Sequence, residues 1–238
     1  MKPLEKIFLL NWYKNENIDL MINRDHSKNK EDTYRENLST AKVNNIHDDI
    51  ELSKIIHIND LLKISEKIQI SDLQSYSSQS CFFEGNSKPE ILIVNDYPNE
   101  EEEKNKKILT NDCEILMTNM LNAISIDYER TAKINIFFWR TPGNRKPSIK
   151  ELKDCQPFVK KIIELLSPRF IITLGELSTS SILEENINIL DVRGKSFDYK
   201  FQDIKIFPLF HPRVLIKQPA LKRLAWEDLK IIKEEIQN

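Results

Sequence analysis

Apolar and polar positions change their pattern near residue 80. From there on, apolar runs of strand length alternate with amphipathic stretches of helix length. The predicted strands lie at 90–94, 133–139, 169–174 and 204–210. The predicted helices lie near 112–124, near 148–166, from about 176 and near 218–236. Continuously apolar strands separated by helices are typical of a parallel sheet covered on both faces. We therefore predict a three-layer α/β/α sandwich around a central, mainly parallel, four-stranded sheet.

The first 80 residues have a different pattern. Residues 4–22 carry apolar side chains at helical spacing, and residues 51–75 contain short amphipathic pieces. Between them, residues 23–50 are polar and rich in Asn, Asp, Lys and Ser, which is typical of a flexible linker. We therefore predict a helical or partly disordered N-terminal extension over 1–80, and one α/β domain over 81–238.

Composition and charge limit the classes of function. The 238 residues are 40% hydrophobic and 30% charged with a net charge of −2, which excludes a broadly basic nucleic-acid binder but not a local basic patch. No apolar run reaches the roughly 20 residues that span a bilayer, and the N-terminus lacks a signal-peptide pattern. Three widely spaced cysteines argue against a disulfide framework, so a reduced, cytoplasmic protein is the simplest interpretation.

Ligands of a parallel α/β sheet bind beyond the carboxyl ends of its strands. The loops at this edge are VNDYPNEE (94–101), RTPGNRKP (140–147), LGELS (174–178) and FHPRVL (210–215). The second loop combines a Pro-Gly turn with three cations that could pair with phosphates, although the tripeptide PGN by itself is more simply a solvated turn. The fourth places His211 at a strand end, where a histidine can be catalytic or structural.

The ordered motifs PGNR, LG, RG and HP, followed by PALKRLAWEDLK, resemble the uracil-DNA glycosylase superfamily, specifically its family 4 type. The resemblance covers about residues 82–236. Every glycine of the chain falls on a position that the family fills with glycine: Gly85, Gly143, Gly175 and Gly194. The family often carries an N-terminal extension, which would suit residues 1–80.

The resemblance implies a hydrolase of base excision repair that flips a deaminated base, uracil, out of DNA. Asn135 takes the place of the asparagine that reads the uracil edge, since an amide offers both a donor and an acceptor. The alternative is that Asn135 only ends a pleat, but an uncompensated amide in so apolar a strand would be costly. His211 matches a histidine that donates a hydrogen bond to uracil O2 as the base departs.

The resemblance also implies DNA as the partner. Arg213 and Lys217 are expected to approach the DNA backbone or the minor groove. Further candidates for phosphate contacts are Arg140, Arg145, Lys146, Arg193 and Lys195.

The sequence departs from the family at the iron–sulfur ligands. Family 4 enzymes hold a four-iron cluster with four cysteines, and only Cys155 of this chain fits a ligand position. Trp139 stands where the third ligand is expected, and no cysteine pair precedes residue 82. One thiolate does not hold a cluster, so we predict that this protein has neither the cluster nor another metal.

Two further departures affect the base site. Ile108 stands where the family stacks an aromatic ring against the uracil. In the first motif, Asn95 and Asn99 replace two glycines and Asp96 replaces a glutamate. Tyr97 stands where distant members keep a water-activating aspartate, and it is a poor base because its pKa is near 10. We expect Asp96 to order a water or to stabilise the cationic sugar.

The acidic run after this motif, Glu100–Glu103, is predicted to be solvated.

Three hypotheses about the function remain open. The first is a uracil-DNA glycosylase-like hydrolase that uses Asp96, Asn135 and His211. The second is a catalytically impaired DNA-binding protein of the same fold, and the third, more remote, is a nucleotide-handling protein unrelated to repair.

Overall fold

The computed structural model describes residues 52–67 and 76–237. The predicted helix at 4–22 and the predicted linker at 23–50 lie outside these ranges. The helices are α1 (Ile58–Lys67), α2 (Glu100–Asn105), α3 (Asn111–Ala123), α4 (Ile149–Leu166), α5 (Gly175–Leu183), α6 (Ile189–Val192), α7 (Pro212–Lys217) and α8 (Lys222–Gln237). The strands are β1 (Phe83–Gly85), β2 (Ile91–Asn95), β3 (Ala132–Asn135), β4 (Phe170–Leu174), β5 (Phe197–Asp198) and β6 (Lys205–Leu209).

The strands of the described part form one sheet in the order β1-β3-β2-β4-β6-β5. The four central strands run parallel, and β1 and β5 pair antiparallel at the two edges. The predicted mainly parallel α/β fold is confirmed, whereas the predicted number of four strands is too low. The two edge strands have three and two residues and lack an apolar run, so the hydrophobic pattern could not reveal them.

The two faces of the sheet bury separate hydrophobic clusters, which gives the predicted three layers. One cluster joins the sheet to α4 through residues such as Phe158 and Ile162, and it includes Leu61 of α1. The other joins the sheet to α3 and α8 through Leu121 and Leu229. Because both faces are covered, the central strands are buried at nearly every position, which explains their continuous apolar runs.

Strand β3 is shorter than predicted. It ends at Asn135, although the apolar run continues to Trp139. Residues 136 and 137 still donate their backbone N–H groups to the carbonyl oxygens of Asn95 and Asp96, at 3.0 and 3.1 Å. The chain thus remains buried beside the first loop without continuing the strand. As a result, Asn135 lies at the carboxyl edge of the sheet rather than in the middle of a strand.

Helix α4 begins as the sequence predicts. The Ser148 side chain accepts a hydrogen bond from the Glu151 N–H group, and the Glu151 carboxylate accepts one from the Ser148 N–H group. This reciprocal capping box fixes the end of the preceding PGNRKP loop against the helix.

Candidate active site

Three buried polar side chains meet at the carboxyl edge of the sheet. Asn95 ends β2 and is the register partner of Asn135, which ends β3, so both amides lie on the same side of the sheet. His211 lies two residues after the end of β6. The exposed fractions of Asn95, Asn135 and His211 are 0%, 0% and 4%. The sequence-predicted pair of Asn135 and His211 is therefore brought together, with Asn95 between them.

Hydrogen bonds connect the three side chains in a row. Nε2 of His211 lies 2.8 Å from Oδ1 of Asn95, and Nδ2 of Asn95 donates to Oδ1 of Asn135 over 2.8 Å. Nδ2 of Asn95 also donates to the backbone carbonyl of Ile108, at 3.2 Å. Nδ2 of Asn135 donates to the backbone carbonyl of Cys81, at 2.8 Å.

Backbone groups fix the direction of each bond. A carbonyl oxygen can only accept, so the carbonyls of Cys81 and Ile108 require that Asn135 and Asn95 turn their NH₂ groups toward them. The Arg213 N–H group donates to Nδ1 of His211 over 2.9 Å, which makes Nδ1 an acceptor. The proton of the neutral imidazole therefore lies on Nε2, and Nε2–H donates to Asn95.

The surroundings of His211 keep its ring neutral. Burial, and secondarily the positive charge of Arg213, hold the pKa of His211 well below its usual 6.5. The histidine is also the N-cap of α7, since its side chain accepts from the helix backbone. His211 can thus serve as a fixed hydrogen-bond donor at Nε2 over the whole physiological pH range.

Asp96 lies beside this row at the start of the first loop. Its Oδ1 accepts a hydrogen bond from the N–H group of Ser178, near the start of α5, over 2.9 Å. Burial raises the pKa of Asp96 to about 6, against the opposing effects of Arg213 and Ser178. Gly175 lets the start of α5 lie close to His211, because a Cβ at this position would lie 3.3 Å from Cβ of His211. Its φ of +89° is also one that other residues rarely adopt.

Arg213 brings positive charge into the same region. Its charge lowers the pKa values of Asp96 and Glu102 as well as that of His211. Among the described residues, its Nη2 atom is buried without a hydrogen-bond partner. A buried guanidinium donor without a partner is costly, so an anion or a polar ligand at this position would stabilise the site.

The two other predicted base contacts are buried. Tyr97 belongs to the hydrophobic cluster on the α4 side of the sheet. The Ile108 side chain is 1% exposed, and its backbone N–H group donates to Oε2 of Glu84 over 2.8 Å. The backbone carbonyl of Ile108 in turn accepts the hydrogen bond from Nδ2 of Asn95.

Three of the predicted DNA-binding cations are held by carboxylates. Nε of Arg140 lies 2.7 Å from Oε2 of Glu103, and Arg145 makes a two-pronged contact with Glu151 at 2.9 and 2.7 Å. Nη2 and Nε of Arg193 lie 2.6 and 3.0 Å from the two oxygens of Asp228, which is 2% exposed. The side chains of Lys146, Lys195 and Lys217 are exposed.

The prediction that Glu100–Glu103 is solvated is wrong for two of the four residues. Glu102 and Glu103 are 1% and 4% exposed. The run forms α2, in which Glu102 closes a capping box with Asn99. Glu103 accepts hydrogen bonds from Ser77 and Ser78 besides its ion pair with Arg140. Helix formation turns these two carboxylates toward the domain, and the pattern of charges alone does not predict their burial.

Asn95 is the site residue that the sequence reasoning missed. The sequence shows that Asn95 replaces a glycine of the family motif but does not by itself indicate a role for its side chain. The argument that singled out Asn135 also applies to Asn95: a buried amide at the end of an apolar strand requires partners.

Two of the three cysteines, Cys81 and Cys155, are buried. Cys155 is fully buried in the cluster that contains Phe138 and Phe158, and burial raises the pKa of its thiol well above 9.0. Burial likewise raises the pKa of Cys81 to about 12. Cluster ligands are thiolates, which these surroundings disfavour. Over residues 52–67 and 76–237, no group of three or more His, Cys, Asp or Glu side chains has the arrangement of a metal site.

Comparisons with known proteins agree with this architecture. The model of the uracil DNA glycosylase superfamily matches residues 82–230. The type-4 uracil-DNA glycosylase of Sulfurisphaera tokodaii is 34% identical over 158 residues, which are 63% of this chain and 72% of that enzyme. That of Thermotoga maritima is 31% identical over 156 residues, 64% of this chain and 81% of the enzyme. The DNA polymerase of Bacillus phage SP01 is 32% identical over 150 residues, 63% of this chain but 16% of the polymerase. The chain belongs to the uracil-DNA glycosylase superfamily.

Proposed function

We propose that this protein is a DNA glycosylase that takes a flipped uracil from DNA and hydrolyses its N-glycosidic bond. One observation carries the proposal. The Nε2–H donor of His211 and the Oδ1 acceptor of Asn135 both face a single amide group, that of Asn95. Uracil carries the same neighbouring pair, the acceptor O2 and the donor N3–H. The site is therefore complementary to the edge of this base.

The neutral imidazole suits the departure of the base. As the bond between C1′ of the sugar and N1 of uracil breaks, negative charge develops on O2, toward which Nε2–H of His211 would point. A donor that is already fixed by Arg213 needs no reorientation at that moment, and such a hydrogen bond strengthens as the charge grows. Water then forms the new bond to C1′ and yields an abasic site and free uracil.

Asp96 would stabilise the positive charge that develops on the sugar. Its carboxylate lies next to the row of base-reading side chains, and it is ionised above a pH of about 6. The hydrogen bond from Ser178 holds the carboxylate in place. An anion at a fixed position near an electron-poor sugar lowers the barrier without forming a covalent bond.

DNA is the proposed partner, and cations around the site would bind its phosphates. Lys146 and Arg213 lie close enough to Asp96 to lower its pKa, so both contribute positive charge at the edge of the site. We expect Lys146 and Arg213 to contribute more than Arg140, Arg145 and Arg193, whose guanidinium groups already contact carboxylates. Lys217 is exposed and is a further candidate for a phosphate contact. No helix of the described residues is both long and apolar enough to cross a membrane.

We infer that the protein works without an iron–sulfur cluster. Cys155 is fully buried in the hydrophobic cluster that contains Phe138 and Phe158, and Trp139, 4% exposed, packs against Phe138 with ring centroids 5.2 Å apart. Purified protein, prepared without oxygen, is expected to lack the visible absorption of such a cluster and to contain no bound iron. A brown protein with stoichiometric iron would contradict this inference.

The function is tested by incubating purified protein with an oligonucleotide that carries one uracil, followed by alkali treatment. We expect cleavage at the uracil, and its loss in Asn135→Ala and His211→Ala. Stoichiometric protein is included so that a slow enzyme is not overlooked.

A catalytically impaired DNA-binding protein is the second candidate, favoured by the position of Asn95 between the two base-reading side chains. Retention of the oligonucleotide without any abasic product, even at stoichiometric protein, would favour this candidate and contradict the glycosylase.

A further inference from the structure

The Asn95 carboxamide has the chemistry of a uracil edge. Its Oδ1 accepts from Nε2–H of His211, as O2 of uracil would, and its Nδ2 donates to Oδ1 of Asn135, as N3–H of uracil would. In both groups the acceptor and the donor are attached to the same carbonyl carbon. The two side chains that would read the base are thus satisfied by a residue of the protein itself.

The same side chain is held firmly. Asn95 is fully buried, and its Nδ2 also donates to the carbonyl of Ile108, so its amide takes part in three hydrogen bonds. These bonds use Oδ1 and both hydrogens of Nδ2, which leaves no donor of the amide without a partner. No single bond can be exchanged for a base without moving the side chain.

We propose that the Asn95 carboxamide occupies the base-binding position as an internal substitute for uracil, and that it must move aside before a base can enter. The proposal builds on the proposed function, because it takes Asn135 and His211 as the side chains that read the base. The apparent affinity for a base is then the intrinsic affinity multiplied by the fraction of molecules in which Asn95 has moved away.

A closed base site has a consequence for selectivity. A base can displace Asn95 only if it replaces the hydrogen bonds of Asn95 with His211 and Asn135, and that base needs an acceptor for His211 beside a donor for Asn135. Uracil has this pair, whereas cytosine lacks the N3–H donor. Asn95 thus competes with every incoming base and admits those with the same hydrogen-bonding pattern.

The test compares binding of free uracil to the wild-type protein and to Asn95→Gly, by calorimetry and by the change in Tm. Removal of the carboxamide leaves Nε2–H of His211 and Oδ1 of Asn135 without partners, so uracil is expected to bind Asn95→Gly at least about tenfold more tightly than wild type. Uracil should raise the Tm of Asn95→Gly in a concentration-dependent manner, and cytosine should not.

Asn99→Gly is the matched control. It makes the same substitution four residues on, at the N-cap of α2, away from the base-reading pair. Its uracil binding is expected to equal that of wild type. The double variants Asn95→Gly/Asn135→Ala and Asn95→Gly/His211→Ala should lose the gain. If Asn95→Gly fails to fold, Asn95→Ala provides the same comparison.

Each outcome distinguishes this proposal from the proposed function. Equal uracil affinity of wild type and the folded Asn95 variants, or no binding to either, would overturn the substitute role of Asn95. Tighter binding by Asn95→Gly, with no abasic product from any variant, would support the substitute role while contradicting the glycosylase. If wild type and Asn95→Gly form abasic product at the same rate, the glycosylase would be supported and the substitute role of Asn95 would be overturned.

Discussion

At the scale of single residues, the position of one proton determines what the site can do. The Arg213 N–H group occupies Nδ1 of His211, so the proton of the neutral ring is directed along Nε2 toward the centre of the site. Burial and Arg213 lower the pKa of His211, which keeps the ring in this form. Asp96, in contrast, titrates near neutrality because burial raises its pKa to about 6. The two groups therefore respond differently to pH.

We predict that the rate of base release falls as the pH drops through about 6. Protonation of Asp96 removes the anion near the sugar below this pKa, whereas His211 is neutral on both sides of it. Asp96→Asn keeps an oxygen to accept from Ser178 and should give a low rate that does not change between pH 5 and pH 8, about 10- to 1,000-fold below wild type. A single-turnover pH series measures this.

Glu102 needs its own control in that series, because burial raises its pKa to about 7. Glu102→Gln preserves the capping box with Asn99, since glutamine can also fill the third helical position. We expect Glu102→Gln to retain the wild-type pH dependence. A profile that becomes flat in Glu102→Gln but not in Asp96→Asn would assign the titration to Glu102 instead.

At the scale of elements, carboxylates hold the loops that surround the site. Glu151 at the start of α4 fixes the PGNR loop through Arg145, which lowers the pKa of Glu151 to about 2. Asp228 on α8 fixes the end of α6 through Arg193, whose Nη2 also donates to the carbonyl of Leu224 over 2.7 Å. These pairs connect loops to helices that belong to the two outer layers.

We predict that Arg193→Ala destabilises the fold by roughly 3 kcal/mol, because it leaves the buried Asp228 without its partner. Arg145→Ala is the comparison and should destabilise the fold less, since the Arg145 side chain is 46% exposed and Glu151 would keep its hydrogen bond from the Ser148 N–H group. Urea unfolding measures both. Equal losses, or a stable Arg193→Ala protein with impaired DNA binding, would favour the phosphate contact predicted from the sequence.

The sequence predicts the central elements well because burial on both faces leaves a strong hydrophobic signal. It predicts that Asn135 and His211 share one edge, since parallel strands end together. It does not predict Asn95 as their partner, because the row depends on side-chain directions set by three backbone groups. The sequence does not predict the burial of Glu102 and Glu103 for a similar reason: a run of charges does not indicate which residues of a short helix face inward.

At the scale of the whole molecule, a net charge of −2 must coexist with the proposed DNA binding. The paired arginines contribute little net charge to the surface, so the exposed cations near the carboxyl edge carry the electrostatic attraction. Lys146 lies in the PGNR loop, and its charge reaches Asp96. We therefore expect the sign of the local field, rather than of the total charge, to determine where DNA would bind.

We predict that Lys146→Ala weakens DNA binding and reduces the slope of log K against log salt concentration by about 0.7–0.9, which corresponds to one phosphate contact. Lys88→Ala is the matched control, because Lys88 is exposed in the loop before β2, at the amino edge of the sheet. Fluorescence anisotropy over a range of salt concentrations measures both variants. An equal loss in both would indicate a general charge effect rather than a local site.

The most direct measurement is the single-turnover rate of uracil release from a single-stranded oligonucleotide, compared between wild type and Asn95→Gly. If the family's base site is intact beneath the Asn95 amide, Asn95→Gly should release uracil about tenfold faster or more. The double variant Asn95→Gly/His211→Ala should then release uracil about 100- to 1,000-fold more slowly than Asn95→Gly. A rate for Asn95→Gly no higher than that of wild type, or one that survives the loss of His211, would contradict the account.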